Sequence, residues 1–213
     1  MNYKSSSKVL INYIKDFVDV TLIDNIIDGK DFIEKNKIEL SDAICLNNSI
    51  IKKIIEFIKE QKKVIKKMIV VFEGFSYNSV GNRNIQLVLY QSILRYMFVN
   101  YFNLSPDNIF VFSPQTIKKY VGEKTRDKDK LFMVNNFYSF LENNKEIKSK
   151  FFEHIIKNIN HYKKITINKK NIIKPFDDLV DCFWVLNCFL NYQNELNKNK
   201  SDNKKNNKKV DNG

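Results

Sequence analysis

Glu73 closes the apolar run Met68-Ile-Val-Val-Phe72, and far downstream Asp177, Asp178 and Asp181 open an apolar helical pattern. Carboxylates are hard oxygen ligands, and several converging on one point repel each other until a divalent cation such as Mg2+ sits between them. Acids at the edge of a core, in a chain whose formal charge is +12, point to a metal site that works on a polyanion. Asp178 and Asp181 stand three apart at the start of the helical pattern, so both can face one way, while Asp177 adjoins the cap position. Capping the helix and favouring its positive end would account for Asp177 and Asp178 without any metal. Asp181 fits that account less well. Its neighbours Leu179, Val180, Cys182, Phe183 and Trp184 make a helix apolar nearly all round, where a carboxylate is costly unless a cation or hydrogen bonds compensate it. Glu73 stands at the carboxyl end of an apolar strand pattern, the place where open α/β sheets hold their sites.

The elements that must position these acids can be read from periodicity. Residues 8–14 and 17–23 are two short β-rich runs separated by Lys15-Asp16, and they read as a hairpin. From Asn48 a helical period sets in, with Ile51, Ile54, Ile55 and Ile58 on one stripe and lysines opposite. Met68 to Phe72 is apolar without alternation, which predicts a central strand covered on both faces. A polar loop from Phe75 to Arg83 leads into a helix over about Asn84–Tyr101, and Ile109–Phe112 reads as another short strand stopped by Ser113-Pro114. A basic loop then runs to Lys130, ahead of helices over about Asp129–Leu141, Phe151–Ile159 and Asp178–Tyr192. The order predicts a single α/β domain over residues 1–196, followed by a disordered Lys/Asn-rich tail over 197–213.

Composition narrows the partners. The 36 Lys and Arg against 24 Asp and Glu favour nucleic acid, and 43% hydrophobic content with seventeen Phe and ten Tyr is enough for one full core. Three cysteines and two histidines, His154 and His161, lack disulfide or zinc spacing. With neither a membrane span nor a signal-peptide core in the pattern, an intracellular soluble protein is expected.

Taken together, the motifs resemble the RuvC family of Holliday junction resolvases, within the RNase H-like superfamily, in the forms carried by phages and large DNA viruses. The similarity lies in Glu73 ending Ile69-Val-Val-Phe-Glu73, and in the long helix after Gly81-Asn82. It continues in the segment from Pro114 to Lys130 with Lys118, Lys119, Gly122 and Lys124, and in Lys174-Pro-Phe-Asp-Asp-Leu-Val-Asp181. The resemblance spans about residues 8–192. It implies an RNase H-like α/β fold, a mixed central β-sheet flanked by helices. It also implies that the first strand, with the aspartate that bridges both metals in that family, is missing ahead of Met1.

By the same resemblance the chain is expected to be a metal-dependent DNA endonuclease that resolves four-way junctions by phosphodiester hydrolysis. Glu73, Asp178 and Asp181 would be the catalytic metal ligands, with Asp177 beside them. Mg2+ or Mn2+ would be the cofactor, as two ions if the missing ligand is supplied, and the enzyme would act as a homodimer on DNA. Lys118, Lys119, Lys124 and Arg126 are candidate phosphate contacts, and equally a solvated loop. Phe75 and Tyr77 are candidates for stacking on an unpaired base, or else cover for the core. Two further readings stay open: a catalytically impaired nucleic-acid-binding protein of the same fold, and a nuclease acting on flap or hybrid substrates.

Overall fold

Leu10 and Ile14 lie four residues apart and both are 0% exposed. That spacing is one turn of helix, and the segment forms α1 (Ser5–Ile14) instead of the first arm of a hairpin. The β-branched residues Val9, Ile11 and Ile14 favour strand in isolation, but burying an i, i+4 pair on one side overrides that preference. The second expected arm, 17–23, lies outside the residues described by the computed structural model, which are 5–14, 30–61, 68–75, 82–122, 129–144, 149–168 and 171–210. The chain falls into two compact units, Met1–Val111 and Phe112–Gly213.

In the first unit the long helix α2 (Phe32–Gln61) begins at Asp31, whose carboxylate accepts a hydrogen bond from the Glu34 amide at 2.8 Å. It packs on α3 (Asn82–Phe102) around Ile51, Met97, Phe98 and Phe102. Asn47, only 1% exposed, donates its side-chain amide to the Tyr90 carbonyl at 2.9 Å and so fixes the two helices in register. β1 (Val70–Glu73) pairs with β2 (Ile109–Phe112), and α3 is the crossover between them. Asn103 takes a positive φ of 47° to end α3, and Ser105 caps the single 3-10 turn Pro106–Asn108 that feeds β2.

The second unit is α4 (Pro114–Lys119), α5 (Lys130–Asn143), α6 (Lys150–Lys157), α7 (Ile159–Thr166), β3 (Ile167–Asn168), β4 (Asn171–Ile172) and α8 (Phe176–Val210). Its core is aromatic. Phe137 of α5 meets Phe176 and Phe183 edge-on at 6.0 and 4.9 Å, and Tyr138 stacks on Phe176 at 5.6 Å. Trp184 is core as its pattern suggested, and its indole N–H donates to the Met133 carbonyl at 3.1 Å. β3 and β4 form an antiparallel ribbon in which Ile167 faces Ile172. The α8 backbone stays helical to Val210, into the Lys- and Asn-rich stretch.

The expected RNase H-like mixed central sheet flanked by helices is not what forms. Among the described residues the protein is mostly helical, and its strands make one parallel pair, β1 with β2, and the small β3–β4 ribbon. The front of the expected sheet is lost where residues 8–14 turn helical. β1 is also only half-buried along its length, so it is not a central strand covered on both faces. No helix among the described residues is long and apolar enough to cross a membrane.

Candidate functional site

The start of α8 is held in place by Phe176, which is 0% exposed and pressed against Tyr138 and Tyr162. With that ring anchored, the next residue, Asp177, is turned inward, and its side chain is only 7% exposed. One of its oxygens, Oδ1, accepts from the Asp178 amide at 3.0 Å, which is the helix-start role its position suggested. The other, Oδ2, receives Lys130 Nζ at 3.1 Å and lies 3.5 Å from Lys174 Nζ. Asp178 is exposed and takes Lys174 Nζ at 2.8 Å. Asp181, one turn along, takes Lys130 Nζ at 2.8 Å.

Lys130 reaches this point because it is the first residue of α5, whose start is capped by Asp129 accepting from the Phe132 amide at 2.7 Å. Burial alone would lower the pKa of Lys130, but the hydrogen bond and charge of Asp181, together with Asp177, outweigh it and raise the pKa above the ordinary lysine value. Lys174 is raised in the same manner, burial being overcome by Asp178 and Asp177. Two ammonium groups thus meet three carboxylates, leaving the cluster one negative charge in excess. Beside it opens a cavity of about 360 Å³, lined by Asp129, Lys130, Leu131, Asn171, Ile172 and Asp177.

Three carboxylates within five residues supply the hard oxygen donors that Mg2+ prefers, so the donor chemistry fits such an ion at Asp177, Asp178 and Asp181. In the arrangement seen, the cations between them are Lys130 and Lys174. Among the described residues no three His, Cys, Asp or Glu side chains converge on one metal-sized point.

Glu73 belongs to the other unit, as the exposed last residue of β1. Its backbone carbonyl accepts from Gln91 Nε2 of α3 at 2.7 Å. Arg95 bonds the Gln91 side-chain oxygen and lies over the Phe72 ring, 5.3 Å from its centroid. The end of β1 is therefore tied to α3 through two polar side chains. Phe75 is half-buried just after it. Lys118 and Lys119 are exposed in the last turn of α4, with the Lys119 ammonium 5.8 Å from the Tyr120 ring. Tyr77, Lys124 and Arg126 lie outside the described residues.

The structure therefore links Asp177 to Asp181 through Lys130 and Asp177 to Asp178 through Lys174 without converging the three acids on one point, and it adds two residues that sequence reasoning did not single out for this cluster. Lys174 was signalled by its spacing, three and four residues before Asp177 and Asp178. Lys130 stands 47 residues from Asp177, and nothing local announced that contact. Comparison of the chain with protein-family models, with curated proteins and with solved structures finds no match.

Proposed function

We propose that this protein is a divalent-metal-dependent DNA endonuclease acting on branched DNA, with the four-way junction as its foremost substrate. The observation that carries this reading is at the start of α8, where Asp177 and Asp181 share Lys130, Asp177 and Asp178 share Lys174, and Asp177 and Lys130 line a cavity. These carboxylates would hold Mg2+ or Mn2+, which would supply an activated water and a counter-charge for the phosphodiester. Lys130 is placed to offset negative charge developing on a phosphate in the cavity, and Lys174 holds Asp178 and Asp177 oriented. A net charge of +12 suits a polyanionic substrate, and a homodimer suits a junction that needs paired cuts. The similarity of the Lys174–Asp181 segment to RuvC-type resolvases supports the same chemistry.

One observation favours a second reading, a nucleic-acid-binding protein without catalysis. Lys130 and Lys174 already neutralise most of the acidic charge, so the cluster can serve as a clasp between α5 and α8. Incubation of a labelled four-way junction, beside duplex and flap controls, with Mg2+, Mn2+ or EDTA decides between the two. Paired nicks that need the metal and prefer the junction are expected. Salt-sensitive binding with no nicks in either metal sinks the nuclease reading in favour of the binding protein, and preferential cutting of the flap replaces the junction as substrate.

A further inference from the structure

Between Glu153 and Asp177 the chain carries six lysines (157, 163, 164, 169, 170 and 174), two histidines and no acid. The described part of this stretch is sharply two-faced. Ile155, Tyr162 and Thr166 are 0% exposed and turned into the core of the second unit, whereas Lys157, Asn160, His161 and Lys164 are exposed. Lys157 closes α6, and Asn160, His161 and Lys164 lie at i, i+1 and i+4 on α7, the two helices meeting at Asn158. The inward face is locked by the Tyr138–Thr166 hydroxyl contact at 2.7 Å, so the outward face is presented on a fixed support.

The lysines of this stretch divide by partner. Lys163 pairs with Glu142 at 2.8 Å, and Lys174 belongs to the acidic cluster. Lys157 and Lys164 have no ion pair among the described residues, and the one acid of α6 and α7 is the exposed Glu153 in the first turn of α6. Two exposed ammonium groups with no acid paired to them attract a polyanion. Their position relative to the cavity matters as well. Lys164 sits one turn before β3, and Ile167 of β3 pairs with Ile172, a cavity residue. One helical turn plus one strand spacing separates the basic face from the cavity wall by about 10 Å of backbone.

We propose that the outward face of α6 and α7, through Lys157 and Lys164, binds the sugar–phosphate backbone of a nucleic-acid strand that runs on to the cavity beside Lys130, an assignment that rests on the nucleic-acid substrate proposed above. A lipid surface fits this face poorly. Interfacial helices dip an apolar face among acyl chains, and here no apolar residue of α6 or α7 is exposed. Phosphate contacts of this kind position a strand without reading its sequence.

The test is binding of the full chain to a labelled four-way junction in EDTA, by fluorescence anisotropy, across about 50 to 200 mM salt. The double variant Lys157→Ala/Lys164→Ala is compared with wild type and with Lys52→Ala/Lys59→Ala, which removes equal charge from exposed positions of α2 in the other unit. Losing two phosphate contacts lowers the slope of log K against log salt by about 1.8, while the α2 variant keeps the wild-type slope. An unchanged slope in the α6–α7 variant, or an equal fall in both variants, overturns the assignment. So does binding to phosphatidylserine-containing vesicles that depends on Lys157 and Lys164 when junction binding does not. Cleavage by the same proteins in Mg2+ separates the two proposals. A lowered slope with no cutting by wild type leaves the basic face standing and the nuclease reading fallen, and cutting with an unchanged slope does the reverse.

Discussion

Lys130, the first residue of α5, places its ammonium 2.8 Å from the carboxylate of Asp181 on α8. The same ammonium lies 3.1 Å from Asp177, so a single lysine ties two helices of the second unit through two acids. Asp177 is buried and Lys130 is half-exposed, which sets the contact between a surface pair, worth up to about 1 kcal/mol, and a buried pair, whose breaking costs about 3–5 kcal/mol. Lys130→Met is therefore expected to lower stability at pH 7 by about 1 to 2 kcal/mol, Lys174 remaining as a partial partner for Asp177. The folded-state pKa of Lys130 lies above its ordinary 10.5, because Asp181 and Asp177 outweigh the effect of burial. Its stabilisation is thus fully present below 10.5 and is lost as pH rises through the folded value. Urea unfolding of both proteins from about pH 7 to 12 checks this: the gap should stay constant to about pH 10 and then narrow. A gap absent at pH 7 would show that the contact is no clasp.

Asp177 and Asp181 should separate in their effects although both touch Lys130. Asp177 is the buried one, bonds the Asp178 amide and has two lysine neighbours, so Asp177→Asn is expected to lower the unfolding midpoint as well as any cutting. Asp181 is more exposed and has one lysine partner among the described residues, Lys130, so Asp181→Asn should leave stability within about 1 kcal/mol of wild type. Its cutting of a four-way junction in Mg2+ should fall by more than the roughly hundredfold that loss of even an outer-shell metal partner can cost. Cutting by Asp181→Asn at the wild-type rate would strike that residue from the ligand set.

How much of this was legible depended on range. The helix over residues 84–101 was readable because Leu94 and Met97 recur at helical spacing, and α3 spans Asn82–Phe102. The start of α5 was readable near Asp129 because a side-chain cap is a local signal. α1 was not, since Val9, Ile11 and Ile14 speak for strand until the core that receives Leu10 and Ile14 is known. The acids of α8 could be picked out because they cluster in sequence. Lys130 lies 51 residues from Asp181, and a contact of that range leaves no periodic trace.

Tyr138 and Thr166 offer a test of the buried polar core. The hydroxyls lie 2.7 Å apart, and Thr166 also donates to the Tyr162 carbonyl at 2.7 Å. Tyr138→Phe removes one bond and leaves Thr166 its carbonyl acceptor, at an expected cost of about 1 kcal/mol. Thr166→Val keeps the shape but strands the Tyr138 hydroxyl in the core, which costs about 1 to 3 kcal/mol. Urea denaturation should therefore rank Thr166→Val as the more damaging, and the opposite order would mean that the Tyr138 hydroxyl finds water.

The three cysteines should differ in reactivity. Cys45 and Cys182 are exposed, and Cys188 is buried. Burial, with Glu195 nearby, pushes the Cys188 thiol up to about 11. At pH 8 roughly one molecule in a thousand carries that thiolate, and reactivity follows the thiolate. A disulfide reagent at pH 8 should modify two thiols quickly and the third only after denaturation. Rapid modification of all three would show that α8 opens near Cys188.

Gln91 donates to the Glu73 carbonyl at 2.7 Å, and Arg95 engages the Gln91 side chain from the next turn of α3 while lying over Phe72. Gln91→Leu removes the donor without shortening the residue much, so its effect should be local. The end of β1 loses a hydrogen bond worth about 1 kcal/mol, which corresponds to about fivefold faster amide exchange in Val70–Glu73. Exchange in the α5–α8 region of the second unit should not change. Unchanged exchange across β1 would show that the strand is held by its pairing with β2 alone. Faster exchange throughout α2 and α3 as well would instead point to a general loosening of the first unit.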